Sequence, residues 1–190
     1  MLLVCLCCCF MPSLALSIAL QKSKELYTIL SSEERNKVKI DQLIDEIIAE
    51  EKPIDIRNLG QGLWYSKYFR GSRPKWAPRQ GSKNVAGQSY DIEEKSVENY
   101  AEIFGDKVYF LARGTFQPRT NSVSWPLDVD VMINNGGLIF FGFFLNFGIE
   151  GPGIQRILYC DQFIRIFQAV SDSPDLWEQQ GLLVVQCRPV

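Results

Sequence analysis

The chain has 190 residues, 46% of them hydrophobic and 22% charged, which is the size and composition of one globular domain. Its net charge of −2 gives no argument for nucleic acid as a partner. Histidine is absent, which excludes Ser-His-Asp and Cys-His catalysis and removes the commonest neutral zinc ligand. An enzyme of this composition would have to use carboxylates, Tyr, Lys or Cys alone, which makes catalysis less expected without excluding it. We predict a protein that is not an enzyme and that uses no metal or other cofactor.

Residues 1–20 form a largely apolar segment without a charged residue. Small residues at Ser13, Ala15 and Ser17 fit a signal-peptidase site, so we expect a cleaved targeting segment. A segment of this length can also span a membrane, which makes an uncleaved anchor the second interpretation. An incomplete gene model is the third.

Residues 21–53 are predicted to form a helical region with a short helix at 23–30 and a longer helix after it. Ser31 and Glu34 have the spacing of a capping box, which would start the longer helix. Its apolar residues recur at helical spacing and form one stripe that we expect to pack on its own domain: Ile40, Leu43, Ile44, Ile47 and Ile48.

The segment from Lys67 to Lys83 contains six basic and no acidic residues, with aromatic residues between them. Basic and aromatic side chains together suit an anionic membrane surface or a single nucleic-acid strand, and a merely solvated loop is the alternative. We favour the membrane surface and expect four residues to contact it: Arg70, Arg73, Lys75 and Trp76.

Residues 60–190 are predicted to form a closed antiparallel barrel, because short strands recur after the helical region. Strands are expected at 62–68, 107–116, 127–133, 157–167 and 182–187, with Asn134-Asn135-Gly136-Gly137 as a hairpin turn. Residues 138–147 are rich in phenylalanine and would form either a strand buried on both faces or an apolar lip at the barrel mouth. Cys160 and Cys187 lack the spacing of a metal site, so we expect buried thiols, with a disulfide as the alternative.

Two charges stand inside the predicted strand 157–167. Asp161 and Arg165 are four residues apart, so an unbroken strand would project both from one face. Because a lone ion in an apolar interior is costly, this pattern indicates an ion pair or a wet cavity. A solvated outer face, with the apolar residues turned inward, is the alternative.

Two motifs resemble those of the plastid lipid-associated proteins, also called plastid fibrillins. The first-strand pattern Gly-x-Trp-x-x-x-Tyr is present at Gly62, Trp64 and Tyr68. The C-terminal pattern Tyr-x-Asp-x-x-x-Arg-Ile is present at Tyr159, Asp161, Arg165 and Ile166. Phe163 stands where that family has a second acidic residue, and the family's Arg-Gly turn is absent.

The resemblance implies a lipocalin-like barrel, located in the plastid (chloroplast) at thylakoid or plastoglobule surfaces. It also implies non-covalent binding of a small apolar lipid or isoprenoid, such as a carotenoid, a prenylquinone or a fatty acid. Asp161 and Arg165 would orient the ligand head, and Trp64, Tyr68 and Tyr159 would complete the site. One alternative is a structural subunit docked on a photosynthetic membrane complex through the Phe-rich strand. Another is a lipocalin-fold isoprenoid enzyme with Asp161 as acid or base.

Overall fold

A computed structural model describes residues 11–50, 52–60, 62–71, 77–79, 82–119, 121, 124–170 and 182–189. Two helices come first, α1 (Met11–Ser31) and α2 (Lys37–Ile48), and one turn of 3-10 helix follows at Ile56–Asn58. The strands are β1 (Trp64–Arg70), β2 (Ala86–Asp91), β3 (Ser96–Phe104), β4 (Val108–Pro118), β5 (Leu127–Phe140), β6 (Phe143–Asn146), β7 (Gly151–Cys160), β8 (Ile164–Val170) and β9 (Leu183–Cys187).

Eight of the strands close into an antiparallel barrel. The order around the ring is β1, β2, β3, β4, β5, β7, β8 and β9, and β9 pairs with β1 to complete it. Strand β6 lies outside the ring and pairs with β5 as a hairpin. Closure of the ring pairs the strand edges that an open sheet would expose. The prediction of a mainly β fold, an antiparallel barrel after two helices, is confirmed.

The two helices add a second apolar layer to the barrel. In α2 the predicted stripe is buried at Ile40, Leu43, Ile44 and Ile47. In α1 Leu26 and Leu30 are buried in the same way and join the same apolar cluster as Val185 and other residues of β8 and β9. Strand β9 is buried at every residue, since its two faces are covered from the barrel interior and from this layer.

The start of each helix differs from the prediction. Helix α1 begins at Met11, inside the predicted targeting segment, and continues to Ser31. Ser31 is therefore the end of α1, and the predicted capping box is wrong. Asn36 caps α2 instead, because its side chain accepts a hydrogen bond from Lys39 N at 3.1 Å. Residues 1–10 lie outside the described residues, and no helix within those residues is long and apolar enough to cross a membrane.

The predicted hairpin turn at Asn134-Asn135-Gly136-Gly137 is also wrong, because β5 runs through it to Phe140. The glycines serve close approach instead of a turn. A Cβ atom on Gly137 would collide with the carbonyl oxygen of Leu145 on β6. The chain reverses at Phe141 and Gly142, whose φ angles are +48° and +87°.

This shift of the turn determines where the phenylalanines lie. Residues 140–147, here named the aromatic hairpin, project from the barrel and are not a strand buried on both faces. Phe143 is 74% exposed and Phe141 is 62% exposed. The exposed set is Phe140, Phe141, Phe143, Phe144, Leu145 and Phe147. Of the two predicted alternatives, the buried strand is wrong.

Candidate functional site

The barrel interior contains a cavity of about 560 Å³. Each of the eight barrel strands contributes at least one residue to its wall, so the cavity belongs to the barrel as a whole. None of the described residues that line it is charged. Its volume falls within the range of small-molecule binding sites in proteins.

Polar residues gather at one end of this cavity, here named the deep end. The pairing register places Arg165 beside Gln186, and Gln186 beside Ser66, in one row across three strands. A neighbouring row places Gln88 beside Asn99. Directly paired residues share a face of the sheet, so both rows look into the barrel.

The other end of the cavity is apolar and open. Ile133, Leu182 and Ala169 line it there, together with Phe110 and Ile149. Phe110 is 39% exposed and Ile149 is 43% exposed, so both belong to the cavity wall and to the outer surface. Ile149 lies two residues after the end of the aromatic hairpin and packs against Gly136 on β5. The hairpin therefore borders the mouth of the cavity.

Arg165 is the charged residue at the deep end, and none of its surface is exposed. Its Nε donates to Gln186 Oε1 at 2.9 Å, and its Nη2 donates to Gln88 Oε1 at 2.8 Å and also to Gln186 Oε1. The two glutamine amides donate onward, Gln88 to Asn99 at 2.7 Å and Gln186 to Ser66 at 3.0 Å. The guanidinium thus connects to the cavity wall through two neutral side chains.

Aromatic rings surround the same guanidinium. Its carbon lies 5.5 Å from the ring centre of Trp64, 5.0 Å from that of Tyr90 and 5.6 Å from that of Phe167. The Nη1 atom is buried and has no hydrogen-bond partner within the described part of the chain. Burial lowers the pKa of Arg165, yet a guanidinium remains charged in proteins.

Asp161 does not pair with Arg165, so the predicted ion pair is wrong. The predicted strand is broken, because β7 ends at Cys160 and β8 begins at Ile164. Asp161 lies in the turn between them, where Oδ1 accepts from Phe163 N at 2.7 Å and Ile164 N at 2.9 Å. Its Oδ2 accepts from the Tyr159 hydroxyl at 2.9 Å. Both carboxylate oxygens therefore hold the turn, and this placement gives no support to Asp161 as a catalytic acid or base.

The three predicted aromatic ligand residues lie around the cavity and not in its wall. Tyr159 is buried beside Asp161. Its pKa is raised, mainly by burial and also by the negative charge of that carboxylate. Tyr68 faces α2 and donates to Asp41 at 2.8 Å, and burial, with Asp41, raises its pKa to about 12. Trp64 is fully buried, and its indole N–H donates to Leu59 O at 3.2 Å.

Trp64 has a second cation on its ring. The Arg188 guanidinium lies 3.7 Å from the ring centre and donates to Asn58 O at 2.6 Å. Leu59, which accepts from Trp64, is fully buried, so the segment that precedes β1 packs over this end of the barrel. Trp64 therefore closes this end of the barrel, next to Arg165.

Of the four residues predicted to contact a membrane from the segment 67–83, here named the basic loop, Arg70 is the one within the described residues. Arg70 donates to Asp45 of α2 at 2.7 Å and lies 4.0 Å from Asp41, so acidic side chains already neutralise its charge. Its geometry indicates that it docks α2 on β1. Arg73, Lys75 and Trp76 lie outside the described residues.

Sequence reasoning missed the glutamines that bind Arg165. Gln186 had a signal, since it is the one polar residue in the apolar run of 182–187. Gln88 lies in a polar segment, Gly-Gln-Ser-Tyr, which gave no sign that Gln88 is only 2% exposed. The sequence around Tyr90, whose hydroxyl donates to Gln155 Oε1, also gave no sign that Tyr90 is buried.

The described residues contain no cluster of three or more Cys, Asp or Glu side chains that could hold a metal ion. Cys160 and Cys187 are buried free thiols, as predicted, and burial raises the pKa of each to about 12. The site therefore offers hydrogen bonding, one buried positive charge and apolar contact. No known protein family, curated protein or solved structure was found to match the chain.

Proposed function

We propose that the protein binds a small apolar molecule inside its barrel, as a lipid-associated protein of the plastid fibrillin type. The observation that carries the proposal is the cavity of about 560 Å³ to which all eight barrel strands contribute. Phe110, Leu111 and Phe167 give it non-directional affinity, and the polar deep end gives one orientation. The plastid location, at thylakoids or plastoglobules, and the lipocalin-like ancestry rest on the resemblance of the two motifs.

The aromatic hairpin supports contact with a lipid surface. It has no charged residue over 140–147 and exposes five phenylalanines. A contiguous exposed apolar patch of this kind is uncommon on a monomeric protein and marks a surface for lipid or for another protein. Because the hairpin borders the cavity mouth, a ligand could pass between the lipid phase and the barrel without crossing water.

The same hairpin favours one alternative function, a structural subunit docked on a photosynthetic membrane complex. In that case the exposed phenylalanines would be covered by protein, and the cavity would be incidental. Separation of mildly solubilised membranes by native electrophoresis distinguishes the two functions. Stable comigration with a large complex, in a variant whose cavity is filled, would favour the subunit.

Filling the cavity tests ligand binding directly. Ala169 lines the cavity on β8, so Ala169→Trp should occupy the space of a ligand, at a cost of about 1–3 kcal/mol in stability from overpacking. Gln168→Trp is the matched control, because the preceding residue on the same strand points to the opposite face. Lipid extracted from each purified protein would be identified by mass spectrometry.

We expect lipid to copurify with the unmodified protein and with Gln168→Trp, and to be lost from Ala169→Trp. Equal lipid content in the two tryptophan variants would show that bound lipid does not occupy the barrel. A folded Ala169→Trp protein, judged by an unchanged far-ultraviolet circular dichroism spectrum, is needed for that comparison.

A further inference from the structure

The geometry of the deep end points to a ligand class: we propose that the cavity binds amphipathic molecules with a carboxylate head, which Arg165 recognises. The inference rests on the proposed binding of a small apolar molecule in the same cavity, and it specifies the head of that molecule.

Arg165 carries a charge that the described residues do not compensate. It is fully buried, and no described acidic side chain forms an ion pair with it. Its Nη1 atom also has no hydrogen-bond partner within this part of the chain. Burial of an unpaired cation is unfavourable, and the arrival of an anion would remove that cost.

The neutral groups around Arg165 orient the guanidinium without cancelling its charge. The carbonyl oxygens of Gln88 and Gln186 accept hydrogen bonds from it, and three aromatic rings lie against it. These contacts fix its position and leave a net charge of one. In a water-poor interior, attraction between this charge and an anion is stronger than it would be in water.

The same glutamines present hydrogen-bond donors to the cavity. Each amide nitrogen carries two hydrogens, and the recorded bonds to Asn99 and Ser66 use one from each. A carboxylate at the deep end would find these N–H groups in the wall and the guanidinium directly behind them. Since Nε and Nη2 already donate to the glutamines, Nη1 is the guanidinium nitrogen left for an anion.

The rest of the cavity determines the remainder of the ligand. From the deep end the wall becomes apolar through Phe167, Leu182 and Phe110, and it ends at the mouth beside the aromatic hairpin. This arrangement fits an apolar tail. A phosphate head would bring up to two charges, and no described residue of the wall supplies a second cation. The site therefore favours a carboxylate.

The competing explanation is that Arg165 only stabilises the fold, through its hydrogen bonds to two glutamines and its contacts with three aromatic rings. Both explanations predict that loss of Arg165 lowers stability, so stability cannot separate them. Only the carboxylate explanation predicts that the unmodified protein distinguishes an acid from the matching alcohol.

The test is calorimetric titration of the delipidated full-length protein with dodecanoate, 1-dodecanol and acetate at pH 8. We expect dodecanoate to bind about tenfold or more tightly than 1-dodecanol, because a charged hydrogen bond adds to the shared apolar contact. Acetate, which has the head without the tail, should not bind measurably.

Each outcome has a separate meaning. Equal affinity for dodecanoate and 1-dodecanol would overturn the carboxylate inference and leave the apolar cavity in place. Binding of neither would overturn the proposed function itself. Binding of acetate as tight as that of dodecanoate would show that the anion site does not extend to an amphipath.

Two variants and a pH series complete the experiment. Arg165→Met should reduce the preference for dodecanoate over 1-dodecanol to about one, since the charge term is removed. Arg156→Met is the control, because Arg156 pairs with Asp128 on the outside of the barrel and should leave the preference unchanged.

If Arg165→Met fails to fold, the unmodified protein still decides the question. The preference for dodecanoate should fall as pH decreases through roughly 5 to 4, where a carboxyl group takes up its proton. A preference that persists unchanged after the ligand has been protonated would overturn the inference.

Discussion

The deep end of the cavity and the aromatic hairpin depart from the usual distribution of residues in opposite directions. At the deep end a charged residue, Arg165, has no exposed surface. On the hairpin an apolar residue, Phe143, is 74% exposed. Proteins normally place charges outside and large apolar side chains inside, so each region is unfavourable for a protein that stands alone in water.

One type of partner would remove both the cost of burying Arg165 and the cost of exposing the hairpin phenylalanines. Under the proposal, an amphipathic molecule would place its polar head at the deep end and its tail toward the mouth, where the hairpin would contact the lipid phase that supplies it. Under the proposed function the barrel is occupied and faces lipid, and that state would remove both costs. The comparison also predicts that the two regions differ sharply in their effect on stability, since the deep end is packed and the hairpin is not.

The largest expected difference between the two regions is in how much stability is lost when a side chain is truncated to alanine. Trp64→Ala should reduce the free energy of unfolding by about 3–5 kcal/mol, because it opens a cavity under two arginines that stack on the ring. Phe143→Ala on the hairpin should change it by less than about 0.5 kcal/mol. Urea denaturation measures both, and similar losses in the two variants would contradict the distinction.

A second difference between the deep end and the aromatic hairpin concerns how stability changes at alkaline pH. Burial raises the pKa of Tyr90, at the deep end, from 10.0 to about 12. The folded state therefore favours the neutral phenol. Tyr90 contributes fully to the free energy of unfolding below pH 10, and this contribution is lost as pH rises toward 12. The loss amounts to roughly 3 kcal/mol.

Urea unfolding of the unmodified protein, Tyr90→Phe and Phe143→Ala, below pH 10 and close to pH 12, tests this difference. Tyr90→Phe should start less stable, since Gln155 loses its donor, and should then decline less steeply. Phe143→Ala should follow the unmodified protein, because the hairpin has no titrating group. An equally steep alkaline decline in Tyr90→Phe would assign the pH dependence elsewhere.

Some of this architecture was predictable from the sequence, because periodicity survives where one face packs on apolar neighbours. The stripe of α2 and the alternating strand predicted at 127–133, which is the start of β5, were found in this way. The strands predicted at 62–68, 107–116 and 182–187 also overlap β1, β4 and β9. Strands β2 and β3 were not predicted, because their inward positions include Gln88 and Asn99. A polar interior erases the alternation on which strand prediction depends.

Two errors came from misleading local sequence patterns. An apolar run at 157–167 indicated one strand, but the Asp161 side chain caps a tight turn within it. Asn-Gly indicated a turn at 134–137, but those glycines permit close contact with β6, and the turn falls at Phe141. Arg165 lies behind the cavity wall and does not line the cavity, and its expected partner Asp161 lies in the turn before β8.

A substitution at Phe141, whose expected effect on stability is also small, bears most directly on the role of the hairpin. Phe141 has a φ angle of +48°, a conformation that costs a residue with a bulky side chain about 1–2 kcal/mol and that asparagine tolerates. Phe141→Asn should therefore leave stability unchanged or raise it by up to about 1 kcal/mol. It should also weaken binding to lipid vesicles, because it removes exposed apolar surface.

Phe143→Asn is the matched control, because it makes the same substitution on β6, where the phenylalanine backbone is not strained. Cosedimentation of both variants with neutral and with anionic vesicles, in low and in high salt, separates the hairpin from the basic loop. Attraction through Arg73 and Lys75 would weaken as salt is raised, whereas contact through uncharged phenylalanines would persist. If both variants bind as the unmodified protein does in high salt, the hairpin does not contact lipid, and its exposed rings are better explained by docking on a protein complex.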